Sequence, residues 1–221
     1  MALNAFISYA HGDRHIAGQV KKEFADYGIN SFLAHEDVEP TVQWQTEITK
    51  NLKACTLFVP LISTRFRDSK WTDQEVGMAV AWNKKIAPLM IDATAPYGFI
   101  NKYQATRIDT SNVQPQLLSV IAKLADDTKL GANVTEGLIQ AFANSSNYDA
   151  AERRANAILE KANTLSTDQL NKIIEASSKN NQIFKGRNPR AIISKLIQQH
   201  PDIDAKHIER FRQATGELTL D

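Results

Sequence analysis

Apolar positions along the first 130 residues alternate between two spacings. Leu3 to Tyr9 is a short apolar run that ends in the polar turn Ala10-His11-Gly12-Asp13-Arg14, which predicts a buried strand. Ile16, Val20 and Phe24 then recur at helical spacing, and Gly28 stops that helix as a left-handed C-cap. Asn30 to Ala34 reads as a second strand. The loop after it, His35 to Val42, is acidic and expected to be exposed, with Glu36, Asp37, Glu39 and Pro40. Trp44, Ile48 and Leu52 place one stripe on a second helix. Cys55 to Ile62 is the most apolar strand and therefore the expected centre of the sheet. Lys85 to Ile91 and Thr106 to Asp109 complete five strands, and Leu117, Leu118, Ile121 and Leu124 mark a closing helix. Strands alternating with helices predict a parallel sheet covered on both faces.

From Gly131 the strand pattern stops. Asn133 with Glu136 and Ser166 with Gln169 have the spacing of capping boxes. Pro189 and Pro201 stand where first-turn prolines open helices. Ile158, Leu159 and Ala162, then Leu170, Ile173 and Ile174, then Ile192, Ile193, Leu196 and Ile197, form apolar stripes. The expected division is therefore an α/β domain at 1–130 and an all-α helical bundle at 131–221.

Composition narrows the function classes. The 26 basic residues nearly balance the 25 acidic ones, so general nucleic-acid binding and attraction to membrane surfaces are not expected. No apolar run approaches the ~20 residues of a membrane span. Met1-Ala2-Leu3-Asn4-Ala5 lacks the basic flank and apolar core of a signal peptide, and the expected location is the cytoplasm. The single cysteine, Cys55, reads as a small buried hydrophobe, and no metal site is expected.

The stretch Ser69-Lys70-Trp71-Thr72-Asp73-Gln74-Glu75 carries the candidate chemistry. It follows the most apolar strand and opens a helix, where α/β proteins place their sites. Ser69 is positioned to cap that helix, and Trp71 and Glu75 at i and i+4 share one of its faces. A carboxylate and an indole thus stand together near the mouth of the sheet.

These residues resemble the Toll/interleukin-1 receptor (TIR) domain family in its bacterial form. Phe6-Ile7-Ser8-Tyr9 with Asp13 looks like the family's opening strand and loop. Ser63, Phe66, Ser69, Trp71 and Glu75 match its pattern of serine, aromatic, serine and Trp-x-x-x-Glu. The segment from His35 to Trp44 sits where the family has its BB loop; many members have Pro-Gly there, whereas Pro40 is followed by Thr41. The resemblance implies a flavodoxin-like five-stranded parallel sheet. It also implies cleavage of NAD, as substrate and without a cofactor, at the nicotinamide–ribose bond by Glu75, giving ADP-ribose or a cyclic isomer in antiphage defence signalling. Trp71 would wall the pocket, Ser8 and Tyr9 would line it, and Asp37 and Trp44 are loop candidates. Self-association through the TIR domain follows from the same resemblance. A non-catalytic module acting by assembly alone is the second reading. Lys185, Arg187 and Arg190 form a small basic cluster in the helical segment, a solvated face or an anion site, and the segment would take a nucleotide signal or a partner protein, or serve assembly.

Overall fold

The computed structural model describes residues 3–34 and 44–217, with the backbone alone for Trp44. The loop expected at 35–42 lies outside the described residues. Contacts divide the chain into two compact units, Met1–Ala25 with Ile29–Val134, and Asp26–Gly28 with Thr135–Asp221.

The first unit is built on parallel strands β1 (Leu3–Ser8), β2 (Ile29–Leu33), β3 (Leu57–Ile62), β4 (Lys85–Ile86), β5 (Leu89–Met90) and β6 (Thr106–Arg107). Their order is β2-β1-β3-β5-β6, with β4 also on β3. The expected fourth strand, 85–91, is two short pieces because Pro88 interrupts it. Proline has no N–H for the ladder; the Ala87 N–H still reaches the Phe58 carbonyl at 3.0 Å and the Pro88 carbonyl accepts the Thr106 N–H at 2.9 Å, and the strand register returns at Leu89. Counting β4 and β5 as one position gives the order 2-1-3-4-5, the flavodoxin-like arrangement. The last strand is shorter than Thr106–Asp109, although the Ile108 N–H still reaches the Met90 carbonyl at 2.8 Å.

Alternation along the strands sorts the core into two layers. Phe6, Phe58 and Ile62 form one cluster with Ile48 and Leu52 of α2 (Trp44–Ala54) and Val76 and Ala79 of α4 (Lys70–Ala81). The Phe6 ring lies 5.4 Å from Phe32 and 6.0 Å from Phe58, within the range of favourable aromatic pairs. The alternate residues Ala5, Ile7, Leu57, Val59 and Leu61 are equally buried, as a sheet covered on both sides demands. The unit's other apolar helix faces are Ala17, Val20 and Phe24 of α1 (Arg14–Asp26), and Leu117, Val120, Ile121 and Leu124 of α5 (Gln114–Ala125).

The second unit consists of α6 (Gly131–Ala143), α7 (Tyr148–Lys161), α8 (Thr167–Lys179), α9 (Asn181–Phe184), α10 (Arg187–Gln199) and α11 (Ala205–Thr215). Contacts assign the first turn of α6 to the first unit. Helices α8 and α11 pack together, as do α7 and α10, around Phe142, Ile158, Ile173, Ile193, Leu196 and Phe211. Ser166 and Gln169 form the expected capping box. Asn133 with Glu136 does not, because α6 begins at Gly131 and Asn133 lies within it. Pro189 opens α10, but Pro201 stands in a turn before α11. Gly28 belongs to this unit and has φ +72°. A Cβ there would stand 2.0 Å from the Gly137 carbonyl oxygen, so glycine is required by conformation and by space. No helix among the described residues is long and apolar enough to cross a membrane.

One lysine closes a seam in the first unit. Lys84 donates to the Lys53 and Cys55 carbonyls (2.6 and 2.7 Å), where α2 ends and β3 is about to begin. A cation at the carboxyl end of a helix offsets the helix dipole. Lys84→Met should therefore lower unfolding stability by about 1–2 kcal/mol, read from denaturant midpoints at constant slope.

Candidate functional site

The order in which strands are added reverses between β1 and β3, and in such folds ligands bind beyond the carboxyl ends of the strands at that point. Ser8 is the last residue of β1, in register with Pro60 of β3. It lies two residues beyond Phe6 and shares its face, the face that α2 and α4 cover.

The chain after β3 is arranged to bring α4 onto that face. Ser63 caps the short helix α3 (Thr64–Arg67), accepting the Phe66 N–H at 3.0 Å. Ser69 occupies the N-cap position of α4 in an extended conformation, but its side chain makes no capping bond, contrary to the expectation from sequence. The corner is held from inside the helix instead. The buried Thr72 hydroxyl lies 2.6 Å from the Phe66 carbonyl oxygen and 2.8 Å from that of Ser69. With Thr72 facing inward, Glu75, Val76 and Ala79 follow on the buried side of α4.

Glu75 is 1% exposed. The Ser8 hydroxyl donates to its Oε2, while its Oε1 has no hydrogen-bond partner among the described residues. Burial pushes the Glu75 carboxyl up to about 7, and the Ser8 hydrogen bond lowers it by less. A buried acid with one oxygen anchored and the other unsatisfied can change protonation near neutral pH, which is a property of catalytic carboxylates. Once ionised, it offers a localised negative charge in a water-poor place. Among the described residues no group of three His, Cys, Asp or Glu side chains is arranged to hold a metal.

A second polar network joins the same two strand ends. Asp13, 5% exposed, accepts the Ser63 hydroxyl at 2.6 Å and Arg65 Nη1 at 2.9 Å. It ties the loop after β1 to the loop after β3 and keeps Ser63 in place to cap α3. Arg65 was not singled out from sequence. The available signal was an aspartate in the turn after the first strand, with basic residues after the third.

The structure thus brings Ser8 and Glu75 together across 67 positions of sequence. Tyr9, fully buried, follows Ser8 directly. Trp71 precedes Glu75 by one turn of α4 and is 38% exposed, so the indole stands toward solvent where the carboxylate is enclosed. Asp37 and the side chain of Trp44 lie outside the described residues; the Trp44 backbone opens α2.

Residues 5–119, half of the chain, match the family profile described as TIR domain. No curated protein matches the chain. Among solved structures, the chain is similar to the TIR domain of the Toll-related receptor TRR-2 from Hydra magnipapillata. The identity is 16%, the TM-score is 0.47, and the match covers 54% of this chain and 95% of that one. With a parallel sheet, a Trp-x-x-x-Glu helix after its third strand and the family profile over both, the chain belongs to the TIR domain family.

Proposed function

We propose that this TIR protein cleaves the nicotinamide–ribose bond of NAD, with Glu75 as the catalytic residue. The observation that supports the reading is the state of that carboxyl group: buried, anchored by Ser8 at one oxygen and free at the other. Nicotinamide departs as a neutral molecule from a cationic pyridinium, so its departure requires no general acid. The demand is stabilisation of the positive charge that develops on the ribose, and one ionised carboxylate with a free oxygen supplies it. Ordinary glycosidases, which must protonate a leaving oxygen, use two carboxylates. Water as acceptor gives ADP-ribose; an atom of the same molecule gives a cyclic isomer, and either serves the proposed role in antiphage signalling.

Both activity and stability then depend on the charge of one residue. Cleavage requires the carboxylate, so kcat/KM for NAD should fall as pH drops through about 7, where free Glu75 gains its proton. Glu75→Gln should reduce cleavage at least about 100-fold, followed as nicotinamide release with products identified by mass spectrometry. The same substitution should stabilise the fold at high pH. Below pH 4.5, the ordinary value, folded and unfolded chains both hold the proton. As pH rises toward 7 only the unfolded chain ionises, and stability is lost until the folded-state value is passed. Glu75→Gln removes that loss and should gain up to about 3 kcal/mol above pH 7, with no gain below 4.5. Unchanged turnover in Glu75→Gln would remove Glu75 from the chemistry.

We further propose that self-association raises activity, since a second chain closing over the carboxyl ends would exclude water that screens Glu75. Specific activity should climb with protein concentration in parallel with light scattering; constant activity from a monomer across the dilution range contradicts it.

A further inference from the structure

The amino ends of the same sheet's strands carry a concave site of their own. Leu57 at the start of β3 pairs with Lys85 at the start of β4, so these amino ends lie about one strand length, roughly 20 Å, from the carboxyl ends. A cleft of about 670 Å³ opens there, within the ~300–1,000 Å³ range of small-molecule sites. Trp82, Tyr103, Lys84, Lys85, Lys129 and Asp127 give it its chemistry.

The charges in this lining do not cancel. Asp127 accepts Lys85 Nζ at 2.5 Å and also the N–H groups of Lys129 and Leu130 at 2.9 and 3.1 Å. Its acceptor capacity is therefore largely used within the fold. Lys84 is bonded to two backbone carbonyls, which satisfy its donors without neutralising its charge. Lys129 is exposed, and its side chain makes no hydrogen bond or ion pair among the described residues. Lys102 adds a further ammonium 5.3 Å from the Tyr103 ring. Beside these cations, Trp82 leaves 36% of its surface open to solvent at the end of α4. Cys55 also lines the cleft. Burial pushes its thiol up to about 11, so it is a neutral wall and not a nucleophile.

We propose that this cleft binds a mononucleotide, its base stacked on the open face of Trp82 and its phosphate held by Lys129 and the neighbouring lysines. An indole face accepts any base, and the uncancelled lysine charge attracts a phosphate without discriminating among bases. The site is separate from Glu75 and involves no bond making or breaking. It stands whether or not the protein cleaves NAD.

Calorimetric titration of the full chain with AMP tests it, with adenosine and inorganic phosphate as separate probes. AMP should bind more tightly than either fragment. Trp82→Ser and Lys129→Glu should each weaken AMP binding about tenfold or more, and Lys129→Glu, at an exposed position, should do so without shifting the melting temperature. Glu75→Gln should leave it unchanged. Three results overturn the proposal: no AMP binding at millimolar concentration; phosphate binding as tightly as AMP, which reduces the site to a lysine patch; or binding lost in Glu75→Gln but kept in both cleft variants. The last result would place AMP at the carboxyl ends. If either cleft variant unfolds, the other still decides the outcome.

Discussion

Ionising Glu75 inside this fold costs about 3 kcal/mol relative to doing so in the unfolded chain. That is a large fraction of the ~5–15 kcal/mol by which domains of this size are stable. The helix that carries it is nevertheless held with its acidic face inward. Ser8 supplies one hydrogen bond, which offsets part of the desolvation. The rest is offset by the apolar residues around it, each buried side chain of the Phe6, Phe58 and Ile62 cluster contributing roughly 1.5–3 kcal/mol. A carboxyl group in this setting responds strongly to a cation. A positively charged ligand beside it would restore the charge that burial suppresses, and in the proposed reaction this couples binding of the pyridinium substrate to ionisation of Glu75.

Holding α4 at that rotation is the task of the polar groups between β3 and α4. Thr72 bonds back to the carbonyls of the preceding corner, Ser63 caps α3, and Asp13 fixes Ser63 from the neighbouring strand end. These groups form one connected brace across the reversal point of the sheet. They are buried, so replacing one leaves part of its partners' hydrogen bonding unmet and affects the site through its geometry. The amino edge, by contrast, is lined by lysines and an open indole, and its proposed ligand is held by charge and stacking.

Features that depend on near neighbours could be read from the sequence. The apolar run of β3, the left-handed Gly28, the capping box at Ser166 and the buried Cys55 all follow from a few adjacent residues. Glu75 could be singled out because a helix opening after a buried strand is a local pattern. What escaped depends on residues far apart in the chain. Nothing near Ser8 indicates Glu75, and nothing near Asp13 indicates Arg65; register and helix rotation bring them together. Local reading also overreached where spacing alone was the warrant. Ser69 has the position of a cap without the bond, Asn133 has the spacing of a box inside a helix, and Pro88 divides a strand that its apolar neighbours suggested was continuous.

Carbon-13 NMR of glutamate side-chain carboxyls, with Glu75 assigned by its absence in Glu75→Gln, observes the buried carboxyl group directly. Glu75 should titrate with a midpoint near 7 in the free protein, and Ser8→Ala should move the midpoint higher because a bond favouring the charged form is lost. A midpoint at the ordinary glutamate value of 4.5, unmoved by Ser8→Ala, would contradict this.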